Sequence, residues 1–231
     1  MKYTAETLKR ILDTLKLLID SFMAMSYDTL KLHISRGNRK IGRVHNFSMA
    51  PGHTCRNCKE CIWYCYDIKA CWQYLNVRIA RAENTAMMLL DREATFAKID
   101  KYLSRNFKIK AFRWHVSGEI LDTDYFDRMC KIARNHPGWI FWTYTKNYWA
   151  VNEWIKANGG TKESIPSNLS VMFSVWNGLP CVNPYGLPTF TCIMEGMQPD
   201  PSEWKCPGNC EACMKAKRGC PFRESSNVNA H

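Results

Sequence analysis

No stretch of this chain approaches the roughly 20 consecutive apolar residues that a membrane-spanning helix needs, so the sequence predicts no membrane span. The opening residues, MKYTAETLKRILDTLKLL, carry charges throughout and lack a small-residue cleavage site, which argues against a secretory signal. There is no glycine-rich phosphate loop, no nucleophile elbow and no zinc-protease helix signature. No repeat recurs at a fixed period, which removes solenoids and propellers. Acidic residues are scarce: 21 Asp and Glu stand against 32 Lys and Arg, for a net charge of +11. A basic surface steers association with nucleic acid or acidic proteins, so nucleic acid is kept among the expected partners.

What the chain has in excess is cysteine, twelve in 231 residues. Disulfide frameworks belong to oxidising compartments and usually to small chains that lack a core. This chain is 46% hydrophobic, with nine Trp, ten Tyr and ten Phe, which is ample for a packed core. With no export signal the expected location is the cytoplasm. In that reducing compartment the cysteines read as metal ligands or buried thiols.

Nine of the cysteines fall into two groups. Residues 53–72 read HTCRNCKECIWYCYDIKACW and contain Cys55, Cys58, Cys61, Cys65 and Cys71. The first four follow C-x2-C-x2-C-x3-C, the run by which bacterial-type ferredoxins bind an iron–sulfur cluster. Two residues between ligands let a loop curl so that successive sulfurs face one body, and soft thiolates suit iron–sulfur clusters and zinc. Tyr66 stands where a ferredoxin has proline, and the chain is far longer than a minimal ferredoxin. The spacing therefore points to a cluster without pointing to that fold, and zinc is the competing metal. Which three or four of the five cysteines ligate is left open. Residues 204–221, WKCPGNCEACMKAKRGCP, supply Cys206, Cys210, Cys213 and Cys220, enough for a tetrahedral zinc or a second four-iron cluster. Cys130, Cys181 and Cys192 are isolated. Cys130 lies in a helical pattern and reads as a buried thiol, and Cys192 on a strand is a weak ligand candidate.

The periodicity predicts an amphipathic helix over 5–23 and a strand reached by 50. Helical pattern then runs from 72 to 105 as two helices. Strand and helix alternate afterwards: strands at 111–116, 139–144, 169–175 and 189–194, helices at 124–135 and 149–157. Such alternation argues for βαβ units and a parallel sheet, closed as a full or partial β/α barrel of the TIM type or open and doubly wound. The expected organisation is an N-terminal helical extension (1–33), a barrel-like cluster-binding α/β domain (34–197) and a Cys-rich tail (198–231). The tail reads as held by metal, with no regular structure of its own.

In a parallel sheet ligands bind at the carboxyl ends of strands. There the sequence places Ser117, Gly118 and Glu119. A glycine lets a ligand approach the backbone, and a carboxylate can accept from an amine. The competing reading is a plain turn with a solvated Glu. Of Trp114 and His115, which alternate on one strand, one is expected to face the core. Thr143, Thr145 and Lys146 follow the next strand and can line the same face. His53 reads as a solvent-exposed loop histidine.

The segments GHTCRNCKEC…KACWQYLNVRIARAENT and FRWHVSGEILDTDYFDRMCKIARNHPGWIFWTYTKN resemble the phage-associated gene product 88 family, over about residues 33–220. Cys71-Trp72 matches that family's cysteine–aromatic step before a Tyr-x-Asn-Val-Arg-like segment, and the resemblance raises Cys71 as a ligand candidate. More remotely the layout is similar to the radical SAM superfamily. Those proteins carry three cysteines after the first strand of a partial barrel. A Gly-Gly-Glu-like motif ends their second strand and holds the amino group of S-adenosylmethionine. Ser117-Gly118-Glu119 stands in that place, with Ser for the first Gly, and the first loop lacks C-x3-C-x2-C spacing.

The expectation drawn from all this is an iron–sulfur protein of phage origin on a radical-SAM-like scaffold, working in a bacterial host's cytoplasm. It would carry one or two 4Fe–4S clusters and serve electron transfer or a redox accessory role with a redox partner protein. The alternatives are an enzyme cleaving S-adenosylmethionine and a zinc-stabilised, basic nucleic-acid-binding module.

Overall fold

The computed structural model describes residues 4–38, 41–58 and 60–229. Helix α1 (Ala5–Met23) begins where the Thr4 side chain accepts from the Thr7 amide. Leu8, Ile11, Leu15 and Ile19 recur at helical spacing and are all buried. They pack with Ile68 and Cys71 of α2 (Tyr66–Gln73) and Ala82 of α3 (Leu75–Leu90). The opposite face carries the exposed pairs Lys9–Asp13 and Lys16–Asp20, which add little stability.

The fold is mixed α/β, with an eight-stranded, mostly parallel sheet and seven helices among the described residues. The strands are β1 (Ile34–Ser35), β2 (His45–Phe47), β3 (Ala111–Trp114), β4 (Ile140–Thr145), β5 (Leu169–Val175), β6 (Thr189–Ile193), β7 (Trp204–Lys205) and β8 (Ser226–Asn229). Their order is β1-β2-β3-β4-β5-β6-β8-β7, and only the two-residue β1 runs antiparallel. From β2 to β6 the order follows the chain, with α2, α3 and α4 (Arg92–Leu103) crossing from β2 to β3, α5 (Thr123–Asn135) from β3 to β4, and α6 (Tyr148–Ala157) from β4 to β5. Right-handed crossovers that always step the same way stack their helices on one face. That face holds the main core: Phe112, Trp114, Phe141, Leu169, Val171 and Phe173 from strands meet Phe96, Phe126, Met129, Val151 and Trp154 from helices. In its hydrogen bonding the sheet is open, and no pair joins β1 to β7 among the described residues.

The sequence reading needs correction at the C-terminus. The segment after 198 has regular structure: β7, helix α7 (Cys210–Ala216) and β8. β8 enters the sheet between β6 and β7, parallel to both. The free edge of β6 offers unpaired backbone groups, and β8 satisfies them. Asn209 caps α7 by accepting from the Glu211 and Ala212 amides. The tail covers the second face of the sheet, where Cys220, Cys210 and Met214 pack with Ala111, Trp142, Tyr144 and Met172. No helix among the described residues is long and apolar enough to cross a membrane.

Candidate metal centre at the strand ends

The carboxyl ends of β2, β3 and β4 are tied together by main-chain bonds. His115 N donates to Phe47 O at 2.9 Å, and Met49 N donates to Ser117 O at 3.0 Å. Ser117 N reaches Ser48 Oγ at 3.3 Å. Thr54 Oγ1 donates to Ala50 O at 2.9 Å, closing the turn that launches the first cysteine loop. Asn57, with a left-handed φ of 54°, sends its Nδ2 to Lys146 O at 2.9 Å, so the loop is pinned across to the end of β4. The loop continues through a 3-10 turn, Cys61–Tyr64, to Cys65, the residue that caps α2.

None of the twelve cysteines is joined in a disulfide. Cys55, Cys58, Cys61 and Cys65 are half-buried and lie within electrostatic range of one another. Burial pushes the Cys65 thiol up to about 11, and Cys55 and Cys61 also move up for the same reason. The Lys146 side chain hydrogen-bonds Cys61, and its ammonium lies 5.7 Å over the Trp176 ring. Burial alone would lower its pKa; Cys61 and Glu119 outweigh that, and the net shift is upward. A cation held against unbridged thiols is the setting in which thiolates, and a group they bind, are stabilised.

Glu119 is 3% exposed, so the solvated-turn reading does not hold. Its Oε1 accepts from Ile120 N and its Oε2 from Lys146 N, both at 2.8 Å. The carboxylate latches the end of β3 to the end of β4. Burial raises its pKa against those hydrogen bonds and the charge of Lys146. Ser117 is buried with no partner for its Oγ. A cavity of about 320 Å³ opens beside Cys61, lined also by Asn57, Glu60, Trp176 and Met194.

Cys71 lies on α2, within electrostatic range of Cys65 at the end of this loop. Its thiol faces Asp67 Oδ2 at 3.8 Å within the packing of α1, α2 and α3, and Asp67 is paired with Arg81 at 3.0 Å. Cys192, at the end of β6, is buried within electrostatic range of Lys146 and Cys61. Cys130 is buried on the core face of α5, and Cys181 hydrogen-bonds the Tyr148 hydroxyl. His53 is exposed, and its Nε2 is 2.8 Å from Leu12 O of α1.

Both Trp114 and His115 are buried, because alternation breaks at His115, where φ is +54°. Its Nε2 is 2.9 Å from Tyr125 Oη, and Nδ1 is 3.4 Å from Thr143 Oγ1. Burial, helped by the charge of Arg113, pushes its pKa down to about 3. The folded state then binds fewer protons than the unfolded state between pH 6.5 and 3, and stability falls as pH drops through that window. At 1.36 kcal/mol per unit the loss approaches roughly 5 kcal/mol. His115→Asn, which tolerates the left-handed backbone, is expected to flatten this acid limb in urea unfolding measured from pH 7 to 4. An unchanged slope would contradict the assignment.

The second group lies on the other sheet face. Cys210 opens α7, Cys213 and Cys220 are buried, and Cys206 accepts from Gly208 N at 3.4 Å. Cys220 hydrogen-bonds Ser226 and Tyr144, and burial pushes its thiol up to about 11. Among the described residues no three His, Cys, Asp or Glu side chains are arranged to hold a single metal ion in either group. Mononuclear zinc needs donors converging on one point. A four-iron cube is a larger body, so its cysteines stand further apart.

Reasoning from sequence alone did not single out Arg113, Tyr66, Tyr144 or Trp176. Arg113 was discoverable: a charge set between Phe112 and Trp114 in an apolar strand is a half-buried polar group that needs a partner. A family model described as gene product 88 matches residues 26–178. No curated protein and no solved structure matches. None of these comparisons shows a likeness to the radical SAM superfamily.

Proposed function

This chain belongs to the gene product 88 family, and on that footing we propose that it is an iron–sulfur protein whose first cluster is held at the end of β2 by Cys55, Cys58, Cys61 and Cys65. The observation that carries the reading is the meeting of four half-buried thiols with the Lys146 ammonium at the carboxyl ends of parallel strands. The family match spans this loop, Glu119 and Lys146.

The cluster would supply one-electron transfer. The chain's own residues do the rest. Lys146 offsets thiolate charge and favours the reduced state of whatever the thiols bind. Glu119 fixes Lys146 by binding its main-chain amide. Trp176, its ring centroid 6.2 Å from that of Tyr64, lines the cavity beside the loop. The half-burial of the four cysteines leaves a route for a redox partner protein. A cytoplasmic setting in a bacterial host fits unbridged cysteines.

A second reading, cleavage of S-adenosylmethionine on a partial-barrel scaffold, is favoured by one observation. The cysteine loop follows the first parallel strand and Ser117-Gly118-Glu119 follows the second, in chain order. Against it, both Glu119 oxygens already accept main-chain amides. The net charge of +11 leaves a zinc-stabilised nucleic-acid module as the third reading.

Anaerobic purification with iron, sulfide and zinc analysis and EPR tests the proposal. Iron with matching sulfide is expected. A colourless protein with stoichiometric zinc overturns it. With iron present, formation of 5′-deoxyadenosine on adding S-adenosylmethionine and reductant would move the assignment to the enzyme reading. Binding of labelled DNA or RNA that weakens steeply with salt would move it to the third.

A further inference from the structure

The tail-covered face of the sheet contains a charge that no carboxylate among the described residues answers. Arg113, in the middle of β3, has its guanidinium 4.5 Å over the Tyr144 ring. Its Nη1 donates toward Cys210 Sγ at 3.9 Å. Among the described residues it forms no ion pair with Asp or Glu, and its Nε is sealed from solvent without an acceptor. A second sealed donor lies across the cysteine group: Trp204 Nε1 is closed off from solvent, and its side chain hydrogen-bonds Cys213. The Trp204 ring and Cys213 Sγ flank Gly219 closely, and a Cβ there would stand 3.0 Å from Trp204 Nε1 and 3.4 Å from Cys213 Sγ.

A half-buried guanidinium whose Nε is sealed from solvent without an acceptor is under-compensated unless an anion faces it. An indole N–H facing a neutral thiol has only a weak acceptor. Protonated thiols are weak acceptors and carry no charge. Four thiolates on a four-iron cluster of core charge +2 leave a net charge of −2 and strong sulfur acceptors. One occupant would meet both needs.

We propose that Cys206, Cys210, Cys213 and Cys220 hold an anionic metal–thiolate centre, with Arg113 as its counter-ion and Trp204 Nε1 as a donor to a ligating sulfur. The inference rests on the reading of this chain as a metal–thiolate protein. It adds two positioning residues, and it concerns a stretch beyond the residues the family model matches. The centre staples the tail across the sheet: Arg113 comes from β3, Tyr144 from β4, Trp204 from β7 and the sulfurs from α7 and its flanks. The shared chemistry is a thiophilic metal, and metal analysis separates zinc from iron with sulfide.

The test uses the full chain, purified anaerobically, as wild type, Arg113→Met, Arg113→Lys, Trp204→Phe and Cys213→Ser. Metal per chain and loss of metal to a competing chelator are measured, with the first cysteine loop as internal standard. Arg113→Met is expected to weaken metal retention at the C-terminal group about 10–100-fold, the usual effect of removing an outer partner of a ligand. Arg113→Lys, which keeps the charge, recovers most of it. Trp204→Phe keeps the ring, is expected to fold, and gives a smaller loss. If the metal is iron, Arg113→Met also shifts the potential of that cluster to more negative values. Wild-type retention in both Arg113→Met and Trp204→Phe overturns the roles given to these residues. Unchanged metal content in Cys213→Ser overturns the C-terminal centre while leaving the first site standing. Absence of metal from the wild type overturns the proposed function itself.

Discussion

Cys55→Ser is expected to remove the iron of the first site, about four irons per chain for a 4Fe–4S cluster, and to leave the C-terminal metal in place. Cys55 follows Thr54, whose hydroxyl is tied to Ala50 O, so its position is set by the end of β2. It lies within electrostatic range of Cys58, Cys65 and Glu119. Serine is nearly isosteric, so the fold should survive while a soft sulfur donor becomes a hard oxygen. Two further variants sharpen the result. Cys71→Ser should keep its iron, because that thiol is engaged with Asp67 in the α1–α3 packing, and should lose stability instead. Cys130→Ser changes a core thiol of α5 and should leave the metal untouched. Iron and sulfide determination with the visible spectrum reads all three. Full iron in Cys55→Ser, or lost iron in Cys71→Ser, would redraw the ligand set.

Gly118→Ala should cost about 3 kcal/mol or more. Gly118 has φ of 87°, and a Cβ there would meet Met49 Cβ and Thr54 Oγ1 at 2.9 Å and Met49 N at 3.2 Å. An alanine with positive φ is strained by roughly 1–2 kcal/mol. The clash adds to that, because Met49 N is held by Ser117 O and cannot yield without breaking the link between β2 and β3. At this chain length each kcal/mol moves Tm by about 2–4 °C, so a fall of roughly 6–12 °C is expected by calorimetry. Thr54 is pushed as well, so the cysteine loop behind it should also bind metal less tightly. A Tm within 2 °C of wild type would show that the strand ends relax more easily than this packing suggests.

Much of the architecture was legible because its signals are local. Leu8, Ile11, Leu15 and Ile19 announce α1 through the helical period, and Leu169–Val175 announces β5 as a short apolar run. The strand ends were less legible. β3 stops at Trp114 because His115 turns to positive φ, a backbone choice made by its bonds to Tyr125 and Thr143. Alternation along a strand does not register such a turn.

By itself the sequence determined an N-terminal amphipathic helix, a run of βαβ units, two cysteine groups, and a Ser-Gly-Glu turn at a strand end. Each of these is written in residue spacing, which constrains neighbours a few positions apart. The tertiary structure decided the rest. It placed β8 between β6 and β7, buried Glu119 as a latch rather than leaving it in water, and set Lys146 against Cys61. It also brought Arg113 to Cys210 across 97 positions of chain. Such contacts depend on which strand edge is free and which charge lacks a partner, and those are settled only when distant segments share a face.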